Sequence, residues 1–216
     1  MIRTIFFDTS DTLYSNKNFK KAQSRAAIEI LAKKRKIDFF VAEKIFAEKK
    51  IALKKKLPHI TKVAMLRKFG ISQKNFHEFL TKIEPRNFLR PDLKLKKILE
   101  NLRKKFALGI LTNISEKFLE KILAALEIDK NIFSFFVTIE NTKNSKPHDE
   151  PFRTATALAG NLPAEILYVG DSETKDILPA KKNGLRTILV SENENSAADA
   201  VIPEILEIEK ILAEKF

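Results

Sequence analysis

The stretch FFDTSDTLY, residues 6–14, ends an apolar run in two carboxylates, Asp8 and Asp11, with Ser10 between them. A short run of large apolar residues is a buried strand, and charge at its carboxyl end marks the edge where open α/β sheets bind ligands. The same pattern recurs down the chain. Apolar β-rich runs stand at residues 2–7 (IRTIFF), 106–111 (FALGIL), 135–139 (FFVTI), 165–169 (EILYV) and 186–190 (RTILV). The later runs alternate with helical patterns, SEKFLEKILAALEI, EPFRTATALAG and ETKDILPAKKNG, the last interrupted by Pro179 and closed by Gly184. Strand–helix alternation of this kind predicts an α/β fold: a Rossmann-like parallel sheet with helices on both faces.

Residues 15–88 break that rhythm, with helical periodicity over residues 19–34, 39–55, 61–69 and 73–83. We expect residues 1–14 and 89–216 to form the α/β core and residues 15–88 an inserted all-α unit. The phenylalanines of the insertion, Phe39, Phe40, Phe46, Phe69, Phe76 and Phe79, recur at helical spacing and read as its core. The tail IPEILEIEKILAEKF reads as a final amphipathic helix.

Composition narrows the function classes. The chain has 216 residues and no cysteine, which excludes disulfides, thiolate metal sites and a cysteine nucleophile. Its three histidines, His59, His77 and His148, are too scattered for a His-rich metal centre. No apolar window is long enough to span a bilayer and no signal peptide is recognisable, so a cytoplasmic protein is expected, without a membrane partner. The net charge of +12 raises nucleic acid as a partner, but runs such as KKRK at residues 33–36 lie in helical segments, where a solvated face is the ordinary outcome. Nucleic acid is therefore not the expected partner, and the oligomeric state is left open.

Polar residues at four strand ends carry the chemistry. Asp8 follows the first run, Thr112 and Asn113 the second, and Asp171 and Asp176 the fourth (GDSETKD), while Lys146 precedes the helix after the third (SKPHDEPF). Grouped carboxylates repel one another unless a hard cation such as Mg²⁺ holds them. Thr112, the amides near Asn113 and Lys146 suit phosphate oxygens.

With DTSDTL, LTN, KP and GDSETKD in this order, the chain resembles the haloacid dehalogenase superfamily, and its helical insertion resembles a phosphoglycolate phosphatase or nucleotidase cap. The resemblance implies an Mg²⁺-dependent phosphatase, a phosphoric monoester hydrolase, that acts on a small phosphorylated metabolite through an aspartyl-phosphate. Asp8 would be the nucleophile. Asp8, the Ser10 carbonyl and Asp171 would hold Mg²⁺ with Asp176 in support, and Thr112, Asn113 and Lys146 would bind the phosphoryl group. Caps of this type select the substrate, and Lys20, Lys54, Lys55, Lys56, His59 and Lys62 are the anion contacts this one offers.

One departure matters. The family's phosphatases read Asp-x-Asp-Gly-Thr, whereas here Ser10 stands for the second Asp and Asp11 for the glycine. That Asp is the family's general acid/base, and losing such a group costs ~10²–10⁴ in rate. Two readings stay open: a phosphatase whose substrate has a good leaving group or whose proton comes from Asp11 or His148, and a phosphate-binding or regulatory member that scarcely turns over. Dehalogenation, which the family also performs, has no evident use for both Asp171 and Asp176.

Overall fold

The structure, a computed structural model, describes residues 1–54, 61–193 and 195–216. It divides into two compact units, Met1–Ser15 with Leu89–Phe216, and Asn16–Phe88.

In the larger unit β1 (Thr4–Phe7) is buried along its whole length. It lies inside a parallel sheet with β2 (Ala107–Leu111), β3 (Phe135–Val137), β4 (Ile166–Gly170), β5 (Arg186–Val190) and β6 (Ala200–Ile202), in the order β3-β2-β1-β4-β5-β6. Strands buried throughout read as continuous apolar runs because helices cover both sheet faces, and this is why five of them were legible as such. The chain has the expected α/β, Rossmann-like fold. Along one face Phe6, Leu111, Val137, Ile166 and Tyr168 pack with Phe152 and Ala180 into a continuous core. Gly109 is bare for a reason: a Cβ there would lie 2.4 Å from the Phe6 ring, which occupies the space a side chain would need.

Three readings need correction. β6 was missed, being only three residues long after a polar stretch. Its last residue, Ile202, belongs to the sheet, so the final helix is confined to Ile208–Lys215 after a 3-10 turn at Ile205–Glu207. Pro179 interrupts nothing. It sits in the first turn of the short helix Leu178–Lys182, where no amide donor is required, directly after a π turn at Glu173–Ile177.

The smaller unit is helical: α1 (Lys17–Arg35), α2 (Phe39–Lys54), α3 (Lys62–Arg67) and α4 (Gln73–Leu80). Asn16 starts α1 by accepting the Phe19 amide at 2.9 Å, and its Nδ2 donates to the Phe88 carbonyl at 2.7 Å, tying together the two ends of the unit. Lys36, in the left-handed region with φ 54°, ends it. Phe76 is buried, but Phe40 is 75% exposed, so the phenylalanines do not form one core. Several are half-buried with a cation over the ring, as for Arg25 on Phe39 at 4.7 Å and Arg35 on Phe69 at 5.1 Å. Part of the positive charge thus packs on aromatic faces. Lys55, Lys56 and His59, offered above as anion contacts, lie outside the described residues. Among the described residues no helix is long and apolar enough to cross a membrane.

His77 of α4 is 3% exposed, and neither ring nitrogen has a hydrogen-bond partner among the described residues. Burial lowers its pKa from 6.5 to about 4. A base depressed in the folded state contributes its full stability above the unfolded value and loses it as pH falls toward the folded one. The wild-type chain is therefore expected to lose on the order of 2–3 kcal/mol between pH 6.5 and 4 relative to His77→Leu. Thermal denaturation of both across that range checks it; parallel profiles would reject it.

Candidate active site

In chain order the remaining helices of the larger unit are α5 (Leu93–Arg103), α6 (Glu116–Ala125), α7 (Asp149–Ala159), α8 (Leu178–Lys182) and α9 (Ile208–Lys215). The site is built where β1, β2 and β4 end side by side. The Asp8 amide donates to Val169 O at 2.9 Å, carrying the ladder one residue past β1, and the Thr112 amide does the same to Val137 O at 2.9 Å. Asp171 directly follows β4, and Asp176 lies in the π turn. Gly170 makes room for this turn: a Cβ there would stand 2.6 Å from Asp176 Cβ.

Lys146 comes from the loop between β3 and α7, and that loop is firmly held. Asn113 Oδ1 accepts the Lys146 amide at 2.8 Å while its Nδ2 donates to the Lys146 carbonyl at 3.0 Å. Glu150 accepts the amides of Lys143 and Asn144 and the Asn144 side chain. Lys146 is consequently 3% exposed, with Nζ 2.9 Å from Asp8 Oδ1 and 2.6 Å from Asp176 Oδ1. Burial works against its charge, but Asp176 and Asp8 outweigh burial and raise its pKa. The ammonium is charged.

Asp8, Asp171 and Asp176 each bring a carboxylate oxygen within 4.8 Å of the others. Three carboxylates thus gather around one ammonium, an excess of buried negative charge. Desolvation, then Asp8 and Asp176, push Asp171 up to about 7, and desolvation likewise raises Asp8. An all-oxygen, net-negative cluster of this kind fits a hard divalent cation. Asp176 already accepts from Lys146 and Tyr168 at Oδ1 and from the Ser172 amide at Oδ2, which suits a supporting place in such a site. Thr112 Oγ1 lies 3.0 Å from Thr9 Oγ1, next in sequence to the Asp8 carboxylate.

Around Ser10 the chain makes a tight turn. Asp11, where the resemblance expects glycine, has φ 62°, a left-handed conformation that aspartate tolerates better than most residues. Its amide donates to the Tyr14 carbonyl, and its carboxylate accepts from Ser15 Oγ at 2.7 Å. The Ser10 hydroxyl is 3.0 Å from Tyr14 Oη. Burial raises the Tyr14 pKa, and Asp8 and Asp11 add to it, so the phenol keeps its proton. His148 is exposed at the start of α7.

The amides near Asn113 remain the expected phosphate donors, while its side chain has a task the sequence does not announce, being committed at both ends to the Lys146 main chain. Sequence reasoning also passed over Tyr168 as one more apolar strand residue. The available signal was a hydroxyl inside an otherwise hydrocarbon strand, since a buried phenol needs a partner.

The family model described as haloacid dehalogenase-like hydrolase matches residues 20–190. The phosphoglycolate phosphatase of Escherichia coli (strain K12) is 33% identical over 101 residues, 46% of this chain and 39% of that protein. The chain therefore spans well under two thirds of that relative. Among solved structures, a HAD phosphatase from Thermococcus onnurineus aligns with a TM-score of 0.73 at 21% identity, covering 98% of both chains. A 2-haloacid dehalogenase from Pseudomonas syringae pv. Tomato DC3000 aligns at 0.67 and 20%, covering 99% of both. Identities this low speak for the fold alone. The family match runs through most of the sequence, and the chain belongs to the haloacid dehalogenase-like hydrolase family.

Proposed function

We propose that the chain is a phosphatase that transfers the phosphoryl group of a small phosphorylated metabolite to Asp8 and then to water. The observation that carries this reading is the convergence of Lys146 Nζ, 2.9 Å from Asp8 Oδ1, with three carboxylates within 4.8 Å of one another. A buried ammonium beside the attacking oxygen neutralises charge on the phosphoryl oxygens without reorganising. The Thr112 hydroxyl and the main chain near Asn113 complete the phosphoryl contacts. Asp8, the Ser10 carbonyl and Asp171 would hold Mg²⁺, with Asp176 in support; when bound, the ion supplies charge neutralisation at phosphorus. The helical unit, Asn16–Phe88, would act as the cap that selects the substrate. The 33% identical phosphoglycolate phosphatase supports a small phosphorylated acid as substrate class.

Ser10 sets the limit on this chemistry. Its hydroxyl and that of Tyr14 form a neutral pair, and the Asp11 carboxylate accepts from Ser15. With no carboxyl at residue 10 to protonate the leaving oxygen, acyl and aryl phosphates should turn over well ahead of alkyl phosphates. Ser10→Asp is expected to raise the rate on an alkyl phosphate by ~10²-fold or more while changing aryl phosphate hydrolysis little. Initial rates on a panel of both classes, with and without Mg²⁺, test the reading. A native preference for alkyl esters would reject the leaving-group account, and silence from both proteins would reject turnover altogether.

The same neutral pair favours a second reading, a phosphate-binding member whose phosphorylated Asp8 is long-lived because no base activates water. Stable trapping by beryllium fluoride without hydrolysis would support it.

A further inference from the structure

We propose that Tyr168 is a positioning residue: its hydroxyl fixes the direction in which the Lys146 ammonium presents its third N–H to the phosphoryl group. This rests on the phosphatase reading above. An ammonium has three donors and no acceptor. Here three oxygens receive them: Asp8 Oδ1 at 2.9 Å, Asp176 Oδ1 at 2.6 Å and Tyr168 Oη at 2.6 Å. Tyr168 keeps its own proton for Asp176 Oδ1, 2.9 Å away, so lysine, phenol and carboxylate close a ring of hydrogen bonds.

Of these acceptors Tyr168 is the one without charge, and it is held within a strand of the sheet. It belongs to β4, is fully buried, and its ring meets Phe152 edge-on with centroids 5.3 Å apart. Once Asp8 bonds to phosphorus, the N–H that faced it is the one free to follow the transferred group. Tyr168 and Asp176 hold the other two in place, and with them the aim of the third. A phenylalanine would fill the same core volume and lose that restraint, together with the hydrogen bond the phenol donates to Asp176.

Tyr168→Phe tests this without disturbing packing. In the wild-type chain, with chelator present, the Lys146 ammonium should give a resolved ¹⁵N–¹H signal, because buried, fully bonded ammonium protons exchange slowly. In Tyr168→Phe that signal should shift and broaden, and kcat on an aryl phosphate should fall about ten-fold with KM nearly unchanged, as the phenol's bonds to the ammonium and to Asp176 are lost together. An unshifted signal, or no slowly exchanging ammonium in the wild type, overturns the proposal. So does a shifted signal with kcat intact. If the wild type hydrolyses no phosphate compound yet the signal moves, the phosphatase reading and its catalytic extension both fall, while the Tyr168–Lys146 bond itself stands, which separates the two failures.

Discussion

Asp8→Asn is expected to abolish hydrolysis of an aryl phosphate while leaving the chain at least as stable as the wild type. The two effects have one cause. Asp8 is the oxygen nucleophile in the proposed reaction, and an amide there cannot form the phosphorylated intermediate. Removing a residue that acts within a concerted catalytic unit commonly costs at least ~10⁴ in turnover. Yet in the absence of a cation Asp8 is one of three carboxylates crowded on a single ammonium, and desolvation already raises its pKa. Neutralising it relieves repulsion toward Asp171 and Asp176, so a site arranged for chemistry rather than stability becomes quieter when disarmed. Phosphate release and thermal denaturation in chelator measure both sides. Residual turnover near the wild-type rate would remove Asp8 from the mechanism, and a large drop in melting temperature would contradict the charge argument.

Lys146→Met works in the opposite direction on stability and in the same direction on activity. Its ammonium is 3% exposed and is the cation that the structure sets against both Asp8 and Asp176. Methionine matches its length and leaves those carboxylates buried without a counter-charge. Breaking a buried pair from one side costs about 3–5 kcal/mol, a large part of the stability of an ordinary domain. Urea denaturation in chelator should show it. A loss below about 1 kcal/mol, the range of surface pairs, would mean that the carboxylates are neutral or solvated there. Arginine should not restore activity, because a planar guanidinium cannot direct single donors at Asp8, Asp176 and Tyr168 from so enclosed a space.

Much of this architecture can be read from the sequence because the buried strands are written as continuous apolar runs. Arg186–Val190 is recognised to the residue. β6 escapes because three residues, Ala200–Ile202, carry too little pattern, and the sheet, not the local sequence, makes them a strand. The apolar positions of Ile202 and Ile205 then prolong the apparent period of the last helix into the turn before it. Asp8, Thr112, Lys146 and Asp171 can be named in advance since charge and hydroxyls at strand ends stand out against hydrocarbon. Partnerships across the chain do not stand out. That Asn113 grips the main chain of Lys146 depends on side-chain direction after 33 residues have closed on themselves, and that Tyr168 reaches Asp176 depends on how the π turn brings the carboxylate back over the end of β4.

The central place of β1 has a consequence for how the chain is made. Thr4 finds one neighbour at Ala107 and the other at Ile166. During synthesis β1 therefore waits with both edges unpaired until the segment around Ala107 has emerged, and with one edge open until Ile166 follows. Long-range pairing of this kind slows folding and exposes sticky segments meanwhile. Nascent chains stalled between those two points should be captured by chaperones, and release should come only when Ile166 is clear of the exit tunnel.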